Sequence, residues 1–110
     1  MNALTKQENN YNDKVSKTVD SILRKIFGDE ATHLIYTHLE NRYSLKQNEI
    51  GEKIDVFAEG LEEFLRSGAY VIEMKILEDI YSSYGLTHEL EFERRNKPDF
   101  VSQMKMLRAT

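Results

Sequence analysis

The sequence predicts an all-α domain, a small bundle of four main helices with a short fifth helix at the C-terminal end. Three observations carry this. Apolar residues recur at steps of three and four over most of the chain, which places them on one face of a helix. Isolated glycines punctuate those stretches. The chain has 110 residues, 40% of them hydrophobic, which is enough for one core and too little for two.

The elements follow in order. Residues 1–10 are polar and are expected to fray. From Tyr11 the stripe runs Val15, Val19, Ile22 and Ile26, widened by Leu23 and Phe27, and Gly28 ends it. Asp29 is the expected N-cap of a second helix whose core face is Ala31, Ile35, Leu39 and Tyr43, with Leu34 beside it. Ser44 to Lys53 breaks the pattern and reads as a loop with a single helical turn. Asp55 is the expected N-cap of a third helix carrying Val56, Phe57, Leu61, Phe64 and Leu65, stopped by Ser67-Gly68. The fourth, about Ala69 to Tyr84, has the widest apolar arc (Val71, Ile72, Ile76, Leu77, Ile80, Tyr81, Tyr84) and is expected at the centre. Gly85 closes it as a C′ residue, with Leu86 as the apolar contact of a Schellman ending. Pro98 marks the start of the fifth helix, whose stripe is Phe100, Val101, Met104 and Leu107. The domain reading is thus a frayed 1–10, a helical core at 11–86, and a charged linker with a basic helix at 87–110. A weak internal echo aligns Ile35-Leu39-Tyr43-Leu45 with Ile76-Ile80-Tyr84-Leu86.

Composition excludes several classes of function. With no cysteine there is no disulfide framework, thiol catalysis or thiolate metal site. The net charge of −4 argues against a chain built as a whole for nucleic acid, but its distribution is uneven. Residues 1–93 hold ten Lys and Arg against eighteen Asp and Glu, whereas residues 94–110 hold Arg94, Arg95, Lys97, Lys105 and Arg108 against Asp99 alone. That basic segment either folds back on the acidic body or contacts an anionic partner. The N-terminal residues lack the apolar run of a secretory signal, and no stretch approaches the roughly 18 apolar residues of a membrane span. The expectation is a cytoplasmic protein with no membrane contact.

Chemistry-bearing residues are few. His33 and His38 are five apart, roughly 140° around a helix, so they do not grip one metal together. The carboxylate doublets Glu62-Glu63 and Glu78-Asp79 point about 100° apart and form no dyad by themselves. The glycines are scattered singly and make no phosphate-binding loop. Gly60 sits mid-helix between Phe57 and Phe64, where it costs about 1 kcal/mol relative to alanine, and a close helix crossing is the reason preferred here. Six tyrosines are generous for this length; Tyr36 and Tyr70 fall off the best apolar stripes and are the candidate partner contacts.

The segment from about Ile35 to Leu86 resembles a small archaeal family, the Nitrosopumilus output domain. The residues that carry the likeness are Tyr36-Thr37-His38-Leu39-Glu40-Asn41-Arg42-Tyr43-Ser44-Leu45, then Asn48-Glu49-Ile50-Gly51-Glu52-Lys53, Phe57 to Leu65, and Gly68-Ala69-Tyr70-Val71-Ile72-Glu73 followed by Ile76-Leu77 and Ile80-Tyr81. Ile54 stands where that family has a proline. The resemblance implies a small helical cytoplasmic domain, in some relatives joined to signalling modules as an output, and it supplies no catalytic residue.

The functional expectation is a non-enzymatic interaction or regulatory module, a stand-alone signalling output in an archaeon. It has no catalytic residue, metal or cofactor, and a protein partner or a second copy binds it. The alternative is a transcription-associated protein that contacts DNA through Arg94, Arg95, Lys97, Lys105 and Arg108.

Overall fold

A computed structural model describes residues 6–86 and 99–108. Among them the secondary structure is helical throughout, in four α-helices: α1 (Lys6–Tyr43), α2 (Ile54–Leu65), α3 (Ala69–Ser83) and α4 (Phe100–Arg108). One-turn 3₁₀ helices at Gln47–Glu49 and Arg66–Gly68 fill the connections either side of α2. The all-helical class is as expected, but the count is not, because the first two expected helices form one element. Within it Gly28 takes φ 83° and ψ 171°, a conformation essentially confined to glycine.

That break folds α1 back on itself. The Tyr36 hydroxyl donates a 2.8 Å hydrogen bond to Asp20 Oδ1, 16 residues away. In a straight helix those residues would stand about 24 Å apart. The arms 6–27 and 29–43 therefore fold back towards each other at an acute angle, joined by a single glycine rather than a loop. Arg24 clasps the turn, bonding Asp20 through Nε at 3.0 Å and Asp29 through Nη1 at 2.9 Å. Asp29 thus serves this clasp, where an N-cap was expected.

The core takes one face from every element: Val15, Val19 and Leu23 of the first arm, Ile35 and Leu39 of the second, Phe57 and Leu61 of α2, Ile76, Leu77 and Ile80 of α3, and Met104 of α4. Ile26 and Phe27 share the apolar period yet are exposed, because residues 24–30 form the tip of the bend and nothing described covers them, while Leu34, beside the stripe of the second arm, is likewise exposed. Val71 is exposed as well, since it lies about 140° around α3 from the middle of the stripe that Ile72, Ile76 and Ile80 define. Tyr84, past the last turn of α3, and Phe64, on the last turn of α2, are also partly open to solvent.

Local rules account for most ends. Leu86 N–H donates to the Tyr81 carbonyl at 2.8 Å and Gly85 N–H to Ser82 at 3.0 Å, the paired bonds of a Schellman ending, with Gly85 at φ 71°. Ser44, the position equivalent to Gly85 in the internal echo, also adopts a positive φ of 54°, and Leu45 after it turns into the core. α1 begins at Lys6, earlier than the Tyr11 start expected. α2 begins at Ile54, so Asp55 lies inside its first turn, where a cap was expected. Asp99 caps α4: its Oδ1 accepts the Ser102 N–H at 2.7 Å, and the helix starts after it. The initiating role assigned to Pro98 falls outside the described residues, as does most of the segment 87–110.

The segment 44–53 is a loop with the single helical turn expected, at Gln47–Glu49, and it is packed as a corner. Leu45 and Ile50 are fully buried, and Gly51 lies against the first arm of α1, where a Cβ would stand 2.7 Å from the Asn12 Cα and 2.8 Å from its carbonyl oxygen. Gly60 confirms the close crossing expected of it: a Cβ there would overlap Leu39 Cδ2 and come within 3.1 Å of the Tyr43 ring.

Candidate functional site

Neighbouring carboxylates on α2 diverge by about 100°, as helix geometry requires, and so face different neighbours. Glu63 faces α1, where it accepts 2.7 Å and 3.0 Å hydrogen bonds from the Tyr43 hydroxyl and Arg42 Nε. The Tyr43 bond, with Arg42 second, holds its carboxyl below the usual range. His38 joins this cluster, with Nε2 3.4 Å from Glu63 Oε1 and its ring 5.0 Å from Phe64. Every charge there has a partner within the chain, which marks a structural junction between α1 and α2.

Glu62, one residue earlier, points to the other side and meets Glu73 of α3. Glu73 is 6% exposed, and its Oε2 has no hydrogen-bond partner. Burial, then the charge and contact of Glu62, then the charge of Asp99 push its carboxyl up to about 7. A buried acceptor without a donor costs about 1–3 kcal/mol, so an unsatisfied carboxyl oxygen in this position, with another carboxyl as its neighbour, is a feature that packing alone does not explain.

The two carboxyls sit in a cleft of about 450 Å³ between α2, α3 and the start of α4. Asp55, Glu59 and Asp99 add further acidic groups to its lining, and no lysine, arginine or histidine belongs to its described wall. Ala58, Met74, Phe100 and Val101 provide apolar surface beside them. A second groove, along the first arm of α1, differs in kind. It contains Lys17, and its polar groups bond one another: Ser16 donates to the Gln47 carbonyl, while Asp20 accepts from Tyr36, Arg24 and Gln47.

The residues singled out from sequence distribute unevenly over this picture. Tyr70 is 66% exposed and lines the acidic cleft. Tyr36 is half-buried with its hydroxyl committed to Asp20, and burial followed by that bond drives its phenol pKa upward. Lys105 is exposed on α4. Arg108 turns back on the body, donating to the Glu52 carbonyl at 3.3 Å and pairing with Glu8 at 3.6 Å. Arg94, Arg95 and Lys97 lie outside the described residues. Among the described residues no three His, Asp or Glu side chains are arranged to hold a metal ion, and no helix is long and apolar enough to cross a membrane.

Sequence reading missed Glu73, although a signal for it exists. Glu73, Ile76, Leu77 and Ile80 are spaced i, i+3, i+4, i+7, so an acidic residue occupies a position of the buried stripe. Its meeting with Glu62 depends on how α2 crosses α3, which no periodicity encodes. Compared with known proteins, the chain matches no family model, no curated protein and no solved structure.

Proposed function

We propose that this chain is a non-enzymatic interaction module that engages a protein partner through the acidic cleft between α2, α3 and α4. The observation that carries the reading is Glu73, a nearly buried carboxyl whose Oε2 has no donor and whose one described contact partner is another carboxyl, Glu62, in a wall that has acidic and apolar groups and no described base. Such a cleft is electrostatically incomplete, and a complementary surface is what completes it. Tyr70 on the rim adds the large, low-entropy contact area that interfaces favour. The resemblance over about residues 35–86 to the Nitrosopumilus output domain agrees with a regulatory role and makes a stand-alone archaeal signalling output our preferred cellular setting.

A carboxyl held near neutrality beside a second carboxylate is also the electrostatic arrangement of an acid–base pair. The described wall adds no serine, histidine or lysine to act with it, which favours binding over turnover. The DNA-contact alternative draws less support, because Arg108 is engaged by Glu8 and Glu52.

The test is affinity capture with the tagged full chain after nuclease treatment, in parallel with a Glu59→Lys/Glu62→Lys variant. A protein retained by the wild type and lost with the variant supports the reading. Retention only in the presence of nucleic acid moves the DNA alternative to the front.

A further inference from the structure

We infer that the cleft receives one basic side chain of a partner protein, a lysine or arginine, with its charged head against the Glu62–Glu73 pair and its aliphatic stem along Met74, Phe100 and Val101. This rests on the interaction-module reading and names the chemistry that the module recognises. Three observations bring it here.

The first is the state of Glu73 itself. Its Oε2 is buried and has no donor, while the side chain lines the cleft. An ammonium or guanidinium brings several N–H donors and a full positive charge, so it satisfies the orphaned acceptor and relieves the repulsion between the two carboxyls at once.

The second is the mixed character of the wall. Lysine and arginine are apolar along their stems and charged only at their tips, and they bury the one while pairing the other. Met74, Phe100 and Val101 lie beside Glu62 and Glu73 in the same cleft. The third observation separates this ligand from a bare metal ion. No three acidic or histidine side chains among the described residues converge in a metal-binding arrangement, so the carboxyls here suit a large cation that needs two contacts and an apolar flank.

Binding of this kind moves a proton. The groups facing Glu73 are Glu62 from α2 and Asp99 from the start of α4, with Asp55, Glu59 and Tyr70 around the rim. Lys105 of α4 acts on Asp99 and leaves the pair itself without a described cation. Because burial and Glu62 raise the Glu73 carboxyl to about 7, it is largely protonated in mildly acidic solution. The incoming side chain displaces that proton, which passes to the buffer as the carboxylate pairs with the cation. Affinity therefore rises with pH through the neutral range.

Chemical-shift titration of the full chain with a capped peptide of Gly and Ser bearing one central lysine tests the inference. The controls are the same peptide with norleucine for lysine, free spermidine, and magnesium chloride. We expect the lysine peptide to shift the amide signals of Glu62, Tyr70, Glu73 and Phe100, with the norleucine peptide about tenfold weaker or more. Glu73→Gln is expected to weaken the lysine peptide by about tenfold and to abolish the rise with pH. Glu62→Gln, on the exposed rim, gives a second variant independent of any change in core packing. Equal binding of the norleucine peptide overturns the cation inference and leaves the interaction reading standing, as does a response only to spermidine or magnesium. Silence from every probe overturns the inference too, and the capture experiment then decides the interaction reading separately.

Discussion

The Tyr11 hydroxyl donates a 2.7 Å hydrogen bond to the carbonyl oxygen of Met104, joining the first arm of α1 to α4 across 93 residues. Both partners are buried, Tyr11 at 3% exposure and Met104 at 0%. The bond holds the C-terminal helix on the body, and through Asp99 and Phe100 at its start it fixes the third wall of the acidic cleft.

Tyr11→Phe keeps the ring and removes only the donor. The expected loss is about 1 kcal/mol, the usual net worth of a buried hydrogen bond, and urea denaturation reads it directly. If α4 is held by this bond, amide exchange in 100–108 quickens more than in α3. A uniform change across the chain would instead mean that α4 is secured by its other contacts, the buried Phe100, Met104 and Leu107 and the Arg108 bonds.

Alkaline pH should loosen the same region. Burial raises the Tyr11 phenol well above its ordinary value, and burial with the Asp20 bond does the same for Tyr36. Both groups favour the neutral form in the fold, so their contribution to stability is complete below about pH 10 and is lost as pH rises beyond it. Ultraviolet titration is expected to show these two phenolates only as the chain unfolds. In Tyr36→Phe the fall in stability above pH 10 should be shallower than in the wild type.

Two glycines separate backbone packing from side-chain packing. Gly51→Ala drives a methyl against the Asn12 backbone, which has nowhere to move, and should cost about 2–3 kcal/mol. Gly60→Ala gains about 1 kcal/mol of helix propensity but must displace Leu39 and the Tyr43 ring, both of which end in movable atoms. A net loss near 1 kcal/mol is expected for it, and a rise in melting temperature would show that Leu39 rearranges freely.

The contrast between those glycines also shows what was legible in the sequence. Gly60 interrupts a clear helical stripe, so its anomaly and its cause could be read locally. Gly51 lies where Leu45 and Ile50 are five apart, a spacing that matches neither helix nor strand, and the burial of all three arises from a corner packed on α1. Gly28 and Gly85 were legible as terminators because positive φ is a property of single residues. Ile26 and Phe27 obey the period and remain exposed, since periodicity records which face a residue occupies and not whether another element reaches that far. Glu73 was hidden for the converse reason: its position belongs to the core stripe of α3 while its chemistry reads as surface, and only the crossing with α2 brings Glu62 to it.

Glu73 gives the prediction that bears most directly on function. Its carboxyl rises from 4.5 to about 7 on folding, so the folded chain holds a proton that the unfolded chain has released at intermediate pH. The sign follows from linkage: this stabilisation is complete below about pH 4.5 and is lost as pH rises through about 7. Glutamine has no proton to lose. Glu73→Gln should therefore be more stable than the wild type, with the advantage growing between about pH 5 and pH 8 and then levelling. Because the cleft opens to solvent, the gain is expected near 1 kcal/mol rather than the full value that a sealed carboxyl would give. Urea denaturation at the two pH values measures it. A variant more stable yet unable to bind the lysine peptide identifies Glu73 as a group retained for recognition at the expense of stability. One less stable at both pH values would make Glu73 an ordinary structural acceptor.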